Sequence, residues 1–399
     1  MVINMSKQLL HTPVGVRDIY GAEFDAKQHC EQEIQKTMHS YGFQDIQTPT
    51  FEFFDVFGKE IGTTPSKELY KFFDKEGNTL VLRPDFTPSI ARCAAKYYID
   101  TDRPVRFCYH GNTFTNTSDL RGKLKEVTQM GAELIGDNSI AADAEMLALC
   151  VRSLLHAGLT EFQISIGEAG YTKGLCAEAG MDEDTEAEWR ELVANKNFFG
   201  AQELLAHAKP SEQCLEALLH LGDLAGGADV LRTARGYACN EASMRAVDRL
   251  EAVYRVLCLY GVEKYISFDL GMVSRYHYYT GIIFKAYTYG VGDAIVKGGR
   301  YDKLLERFGK PAPAIGFMIV IDDLMTAKKA SGKNGADKPP VKMLLYRETE
   351  LAEAIAYVNE RRAAGERFGM MPVADDADRL SAEAFVKAQH MIPVTLSQT

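Results

Sequence analysis

The stretch RFCYHGNTFTNTSDLRGKLKEVTQMGAELIG, residues 106–136, decides how the chain is read. Apolar and aromatic residues run in through Phe107, Tyr109 and Phe114. A polar segment with Asn116, Asp119 and Gly122 follows, and the chain returns through Gln129-Met130-Gly131-Ala132-Glu133. Two extended arms about a polar turn predict a long β-hairpin. Side chains alternate along a strand, so Gln129, Gly131 and Glu133 share one face. An amide and a carboxylate on a partly buried strand form a polar pair that holds an ammonium or an imidazole N–H. A solvent-facing polar alternation has the same spacing.

Composition bounds the rest. At 399 residues the chain is long enough for a sizeable core and for more than one domain. With 46% apolar and 25% charged residues it falls among soluble globular proteins. No apolar run is long enough to span a membrane and the first residues carry no signal-peptide pattern, so a cytoplasmic location is expected. The cysteines (Cys30, Cys93, Cys108, Cys150, Cys176, Cys214, Cys239, Cys258) are scattered without a C-x-x-C pair, which predicts reduced thiols. The histidines show no metal-ligand spacing, and neither a metal nor a cofactor is expected. The net charge of −10 gives tRNA binding no support, because phosphate neutralisation needs clustered basic residues.

The stretch 106–136 resembles the second signature motif of class II aminoacyl-tRNA synthetases, in the version carried by histidyl-tRNA synthetases. That family has an arginine and, two places on, a glutamate just after the first strand, for ATP. Aligning Phe114 and the Gln129-x-Gly131-x-Glu133 run puts Thr115 and Thr117 at those places. A kept framework without its ATP-reading pair is similar to the histidyl-tRNA-synthetase-like regulatory subunits of ATP phosphoribosyltransferase. The resemblance covers residues 8–330. It implies an α+β fold, an antiparallel sheet flanked by helices, with a helical insertion and a small C-terminal α/β domain.

Other segments follow the same order. Residues 12–19 (TPVGVRDI) resemble the family's opening. Ile34, Met38 and Tyr41 recur at helical spacing over 24–41, Gly42 stops the helix, and a strand is read over 43–51 with Pro49 near its end. This helix and strand match the family's first motif, which implies self-association as a dimer. Residues 82–88 (LRPDFTP) follow a strand at 79–82 and read as a rigid loop. By the resemblance, its Asp85 and Thr87 bind an α-amino group. Tyr278-Tyr279-Thr280-Gly281 resembles the histidine-recognition signature. An aromatic face stacks on an imidazole and a phenol hydrogen-bonds its nitrogen, although core aromatics are the commoner use. The signature's arginine is replaced by Ser274, with Arg275 beside it. Gly298-Gly299-Arg300-Tyr301-Asp302 and 313–317 (PAIGF) resemble the third motif, whose arginine is replaced by Asp323.

Periodicity outlines the remainder. A helix is predicted over 139–156 with Ser139 as N-cap, a strand over 162–166, and a mostly helical insertion over 170–261 in which the acids at 182–186 open a helix. Residues 331–340 (SGKNGADKPP) read as a linker between the core, 1–330, and a domain at 341–399. That tail reads βαβαβ and resembles a shortened anticodon-binding domain.

Three arginines are thus absent, at Thr115, Ser274 and Asp323. Acyl-phosphate chemistry depends on cations preorganised at the developing negative charge. Their joint loss beside kept ligand residues points to a sensor with no catalytic residue. The resemblance implies a regulatory subunit for the first step of histidine biosynthesis. Its partner is the short-form ATP phosphoribosyltransferase catalytic subunit, histidine is the feedback effector, and no tRNA or membrane is involved. Asp85, Thr87 and Gln129 would take the α-amino group. Glu133 and Tyr278 would take the imidazole with Tyr279 near it, and either Arg121 or Arg275 the carboxylate. The other reading is a divergent histidine–tRNA ligase with unusual phosphate ligands.

Overall fold

The hairpin forms as two paired antiparallel strands in the computed structural model, which describes residues 10–58, 64–117, 123–194, 197–205, 210–272, 279–332 and 341–396. Two compact units are present, Met1–Arg17 with Cys30–Lys333, and Asp18–His29 with Asn334–Thr399.

The strands of the first unit begin with β1 (Gln44–Asp45), β2 (Phe51–Phe53), β3 (Lys71–Phe73), β4 (Thr79–Leu82), β5 (Val105–Phe114) and β6 (Glu126–Ile135). They continue with β7 (Phe162–Glu168), β8 (Ala225–Gly226), β9 (Ile266–Asp269), β10 (Ile282–Thr288), β11 (Val296–Arg300) and β12 (Ala314–Val320). One large sheet has the order β1-β5-β6-β12-β11-β10-β7-β9-β8. β5 and β6 pair antiparallel from Val105 opposite Ile135 to Phe114 opposite Glu126. Antiparallel pairing continues through β12, β11, β10 and β7, which makes the core the expected α+β sheet. The hairpin's tip, 118–122, with Asp119, Arg121 and Gly122, lies outside the described residues.

Helix Ile140–His156 packs between this sheet and helix Glu241–Tyr260, and its apolar residues are buried nearly all round. Ser139 caps it, accepting the N–H of Ala142 at 3.1 Å. Its buried charge is Asp143, held between the Arg300 guanidinium at 2.5 Å and that of Arg249 at 2.6 Å. The expected insertion contains helices Ala169–Glu178, Glu183–Ala194, Phe198–Leu205, Glu212–Leu219 and Val230–Tyr237 before Glu241–Tyr260. Asp182 opens the second of these by accepting the N–H of Thr185 at 2.9 Å.

Two local expectations are corrected. The helix Gly21–Ser40 ends at Gly42, whose φ of +79° suits a residue without a side chain. The strand expected over 43–51 does not follow it intact. β1 pairs parallel with β5, and β2 joins a separate sheet of order β2-β4-β3. The break falls at Thr48-Pro49, where proline has no N–H for a ladder. Their carbonyls accept from Arg83 Nη1 instead, at 2.9 and 3.4 Å. Arg83 also donates from Nε to the Asn112 carbonyl at 2.8 Å, and its own carbonyl accepts the N–H of Phe114 at 3.0 Å. Its guanidinium lies 4.0 Å from the centre of the Phe86 ring. Gly111 admits this arrangement, since a Cβ there would stand 2.7 Å from Arg83 Nη2. The loop read over 82–88 also ends early. Thr87 opens helix Thr87–Tyr97 with Pro88 in its first turn, where a missing N–H costs nothing.

The second unit holds β13 (Lys342–Tyr346), β14 (Phe368–Pro372) and β15 (Ile392–Thr395), parallel in the order β14-β13-β15. Neighbouring strand residues point to opposite faces. Leu344 packs with Ala354 and Val358 of helix Leu351–Ala363, and Leu345 with Ala382 and Val386 of helix Asp376–Ala388. This is the βαβαβ order of the sequence. Residues 18–29 group with this unit and not with the core, and Arg367 lies 3.9 Å from Asp25. Of the linker read at 331–340, residues 333–340 lie outside the described residues. All eight cysteines are free thiols. No helix among the described residues is long and apolar enough to cross a membrane.

Candidate functional site

Glycines of three adjacent strands form the floor of the site. One register row across the sheet reads Phe107, Glu133, Gly316, Gly299, Ile283, and the next reads Tyr109, Gly131, Met318, Lys297, Lys285. Large side chains lie flat over the bare positions. A Cβ on Gly316 would fall inside the Glu133 carboxylate, and one on Gly131 inside the Tyr109 phenol. A Cβ on Gly299 would stand 2.6 Å from the Tyr279 ring. The glycines of the second and third motifs therefore make room for side chains that cross the sheet.

Above this floor is a narrow cavity of about 40 Å³. Asp85, Thr87, Gln129, Glu133 and Tyr279, the described members of the predicted set, all line it. Tyr278, Arg121 and Arg275 lie outside the described residues, as does Ser274. Glu133 is at the centre. The Thr87 hydroxyl donates to its Oε1 at 2.8 Å and the Tyr301 phenol to its Oε2 at 2.5 Å. Burial nevertheless dominates and pushes the Glu133 carboxyl up to about 8, with the nearby Asp85 adding to the rise. Asp85 keeps some exposed surface, but its carboxyl is enclosed by protein. Burial raises it too, against the N–H of Thr87 at 3.2 Å.

The cavity lacks partners of one kind. The Gln129 Oε1 and Tyr109 Oη atoms are buried and have no hydrogen-bond partner among the described residues. Buried polar atoms without partners cost about 1–3 kcal/mol each, a cost that a bound group bringing donors would relieve. Two carboxyls and an unsatisfied amide oxygen suit a small group bearing N–H, such as an ammonium or an imidazole. Sequence reasoning did not place Tyr301 or Tyr109 in this site. Tyr301 follows directly on the glycines of the third motif, and Tyr109 stands opposite Gly131. A large residue beside a bare strand position was the available signal.

The places of the lost arginines carry no cation in the described residues. The Thr115 backbone N–H donates to the Lys125 carbonyl at 2.8 Å, closing the base of the hairpin tip. Asp323 is in the first turn of helix Ile321–Ala330, and burial followed by the charge of Asp293 pushes its carboxyl up. Burial opposes the ionisation of Asp293, yet Lys297 and Lys123 hold it well below the usual carboxylate range. Lys123 lies 2.9 Å and Lys297 3.4 Å from it. Lys297, which lines the cavity, and Lys123 are thus both engaged by the Asp293 carboxylate.

The family profile described as histidyl-tRNA synthetase matches residues 15–324. An ATP phosphoribosyltransferase regulatory subunit of Acetivibrio thermocellus is 41% identical over 345 residues, 86% of this chain and 82% of that one. Its counterpart in Ruminiclostridium cellulolyticum is 40% identical over 353 residues, 88% and 84% of the two chains. A crystal structure of an ATP phosphoribosyltransferase regulatory subunit/histidyl-tRNA synthetase from Bacillus halodurans superposes with a TM-score of 0.85 at 32% identity, covering 97% of this chain and 98% of that one. With the hairpin framework in place, these relations show that the chain belongs to the ATP phosphoribosyltransferase regulatory subunit family, built on the histidyl-tRNA synthetase fold.

Proposed function

We propose that this chain is a non-catalytic regulatory subunit that binds free histidine in the Glu133 cavity and makes a short-form ATP phosphoribosyltransferase catalytic subunit sensitive to it. The observation that carries this reading is the buried Glu133 carboxyl with the unpartnered Gln129 and Tyr109 oxygens beside it. Glu133 takes an N–H of the imidazole, and Asp85 and Gln129 take the α-amino group. Thr87 holds Glu133 in place and does not itself face the ligand alone. Histidine shifts the complex by binding the less active arrangement more tightly, and substrates that favour the active one weaken histidine binding in return. The ligase reading is weaker, because an aspartate stands where the third-motif cation would be. The setting is the cytoplasm, the site of amino-acid synthesis.

Calorimetric titration with histidine tests the pocket. An ionised Glu133 is the partner of an N–H donor, and below about 8 the empty site holds it protonated. Binding therefore releases protons near neutrality, and affinity rises with pH, up to about tenfold per unit, levelling off above 8. Glu133→Gln loses both the proton release and roughly 10- to 100-fold in affinity, the worth of a charge-assisted hydrogen bond. It keeps the ability to activate the catalytic subunit while losing sensitivity to histidine. Affinity unchanged in Glu133→Gln, or histidine-dependent ATP–pyrophosphate exchange by the wild type, overturns the reading.

We also propose a homodimer through the end of the first motif, at Phe51, and the small sheet that follows it. On the β2-β4-β3 sheet, Phe53 and Phe72 stand in one row with Leu80, and Phe51 stands beside Leu82. Phe51, Phe53 and Phe72 are 52%, 56% and 37% exposed, a contiguous aromatic face that water disfavours. A second copy presents the same face, which suits a two-fold contact. Phe53→Glu is expected to halve the mass seen by light scattering; a dimeric mass for that variant counts against this interface.

A further inference from the structure

A second cluster of side chains lies on the first motif, away from the cavity. His39 is in the last turn of helix Gly21–Ser40, Asp45 is on β1, and Cys108 is its register partner on β5. Gly42 turns the chain sharply between the first two, which brings His39 back over the strand. His39 Nε2 is 2.9 Å from Asp45 Oδ2, and the Cys108 thiol is 3.3 Å from Asp45 Oδ1. One ligand atom from each residue lies within 4.8 Å of the others. Gln35, one helical turn before His39, donates its amide to Asp45 Oδ1 at 3.0 Å. His110, two residues beyond Cys108, meets Glu31 at 3.3 Å.

We propose that His39, Asp45 and Cys108 form a binding site for a zinc-class divalent cation. The donor set is one nitrogen, one oxygen and one sulfur, the mixture that borderline metals take and that magnesium and calcium do not. Tetrahedral bonds of about 2.0–2.3 Å put ligand atoms about 3.3–3.7 Å apart. The 2.9 and 3.3 Å separations run to different oxygens of Asp45, and one ligand atom from each residue lies within 4.8 Å of the others, so side-chain rotation of up to about an ångström draws the set around an ion. Thiolate and carboxylate together balance the charge of a divalent ion, with imidazole as the neutral third ligand and solvent in the fourth place. The thiol proton leaves to water as the S–metal bond forms. Gln35 orients the carboxylate from outside, as hydrogen-bonded partners of metal ligands do. His39 and Asp45 are solvent-exposed, so the ion has an entry path. Occupancy ties the end of helix Gly21–Ser40 to β5, the strand whose next residue, Tyr109, lies over Gly131 in the floor of the site.

The test is a Co²⁺ titration of the full chain, freed of any affinity tag and of free histidine, both of which chelate metals. The expected result is one equivalent bound, with a thiolate-to-cobalt charge-transfer band and tetrahedral visible bands that Zn²⁺ displaces. Cys108→Ser loses the charge-transfer band with the circular dichroism spectrum intact. Exposed His39→Ala, which leaves the core untouched, weakens binding by more than about 100-fold, and Gln35→Ala by about tenfold. A wild-type spectrum without the sulfur band overturns the site, as does a band that survives in Cys108→Ser. Histidine affinity measured after metal removal is expected to persist, which separates failure of this site from failure of the cavity reading.

Discussion

Gly316→Ala is expected to abolish the proposed histidine binding while the chain still folds. The backbone at this position tolerates alanine, since Gly316 is not among the glycines with positive φ. The added methyl would nevertheless occupy the space of the Glu133 carboxylate and stand 2.9 Å from the Ala132 carbonyl oxygen. The carboxylate cannot swing aside freely, because Thr87 and Tyr301 hold its two oxygens. Relief therefore breaks both hydrogen bonds and turns the central acid away from the ligand. We expect affinity to fall by at least about 100-fold, the loss of one or two charge-assisted hydrogen bonds. Stability falls by about 1–3 kcal/mol from overpacking. Calorimetry reads the first and urea denaturation the second. Wild-type affinity in Gly316→Ala would show that the carboxylate does not serve the ligand from its observed position.

The second large effect is on stability. Asp143 is the shared anion of Arg300 and Arg249, and Arg300 is itself only 1% exposed. Asp143→Asn leaves the Arg300 charge buried with the Asp137 carbonyl and Asp302, at 3.0 and 3.3 Å, as its other partners. Breaking a buried ion pair on one side costs about 3–5 kcal/mol, against near neutrality when both partners become apolar. Asp143→Leu combined with Arg300→Met is therefore expected to recover much of the loss. Trp189, the chain's single tryptophan, is buried in the first unit and reports its unfolding in urea. A cost below about 1 kcal/mol for Asp143→Asn would mean that water reaches Arg300.

Some of this architecture could be read directly from the residues. Alternation put Gln129, Gly131 and Glu133 on one face, and the structure has them on one face of β6. The Ser139 cap and the βαβαβ tail follow from periodicity and turn chemistry, which are local, whereas the fold class followed from the family resemblance of the motifs. The break in the strand expected over 43–51 is missed although Pro49 is visible in it, because a helix, a strand and a terminal proline match the first motif and the proline reads as the strand's end. What escaped notice depends on distant positions. Tyr301 meets Glu133 across 168 positions of sequence, and Arg300 meets Asp143 across 157. The grouping of residues 18–29 with the tail is equally non-local. His39, Asp45 and Cys108 follow no ligand spacing because a helix end and two paired strands bring them together.

The two-residue β1 covers β5 only at Phe107 and Cys108. The rim beyond would offer bare amides and carbonyls to any passing strand, an invitation to fibril growth. Arg83 occupies that rim, taking the Asn112 carbonyl with its side chain and the Phe114 amide with its own carbonyl. A guanidinium anchored on Phe86 thus works as a stopper, sparing a protein that must assemble with chosen partners from polymerising through its own largest sheet.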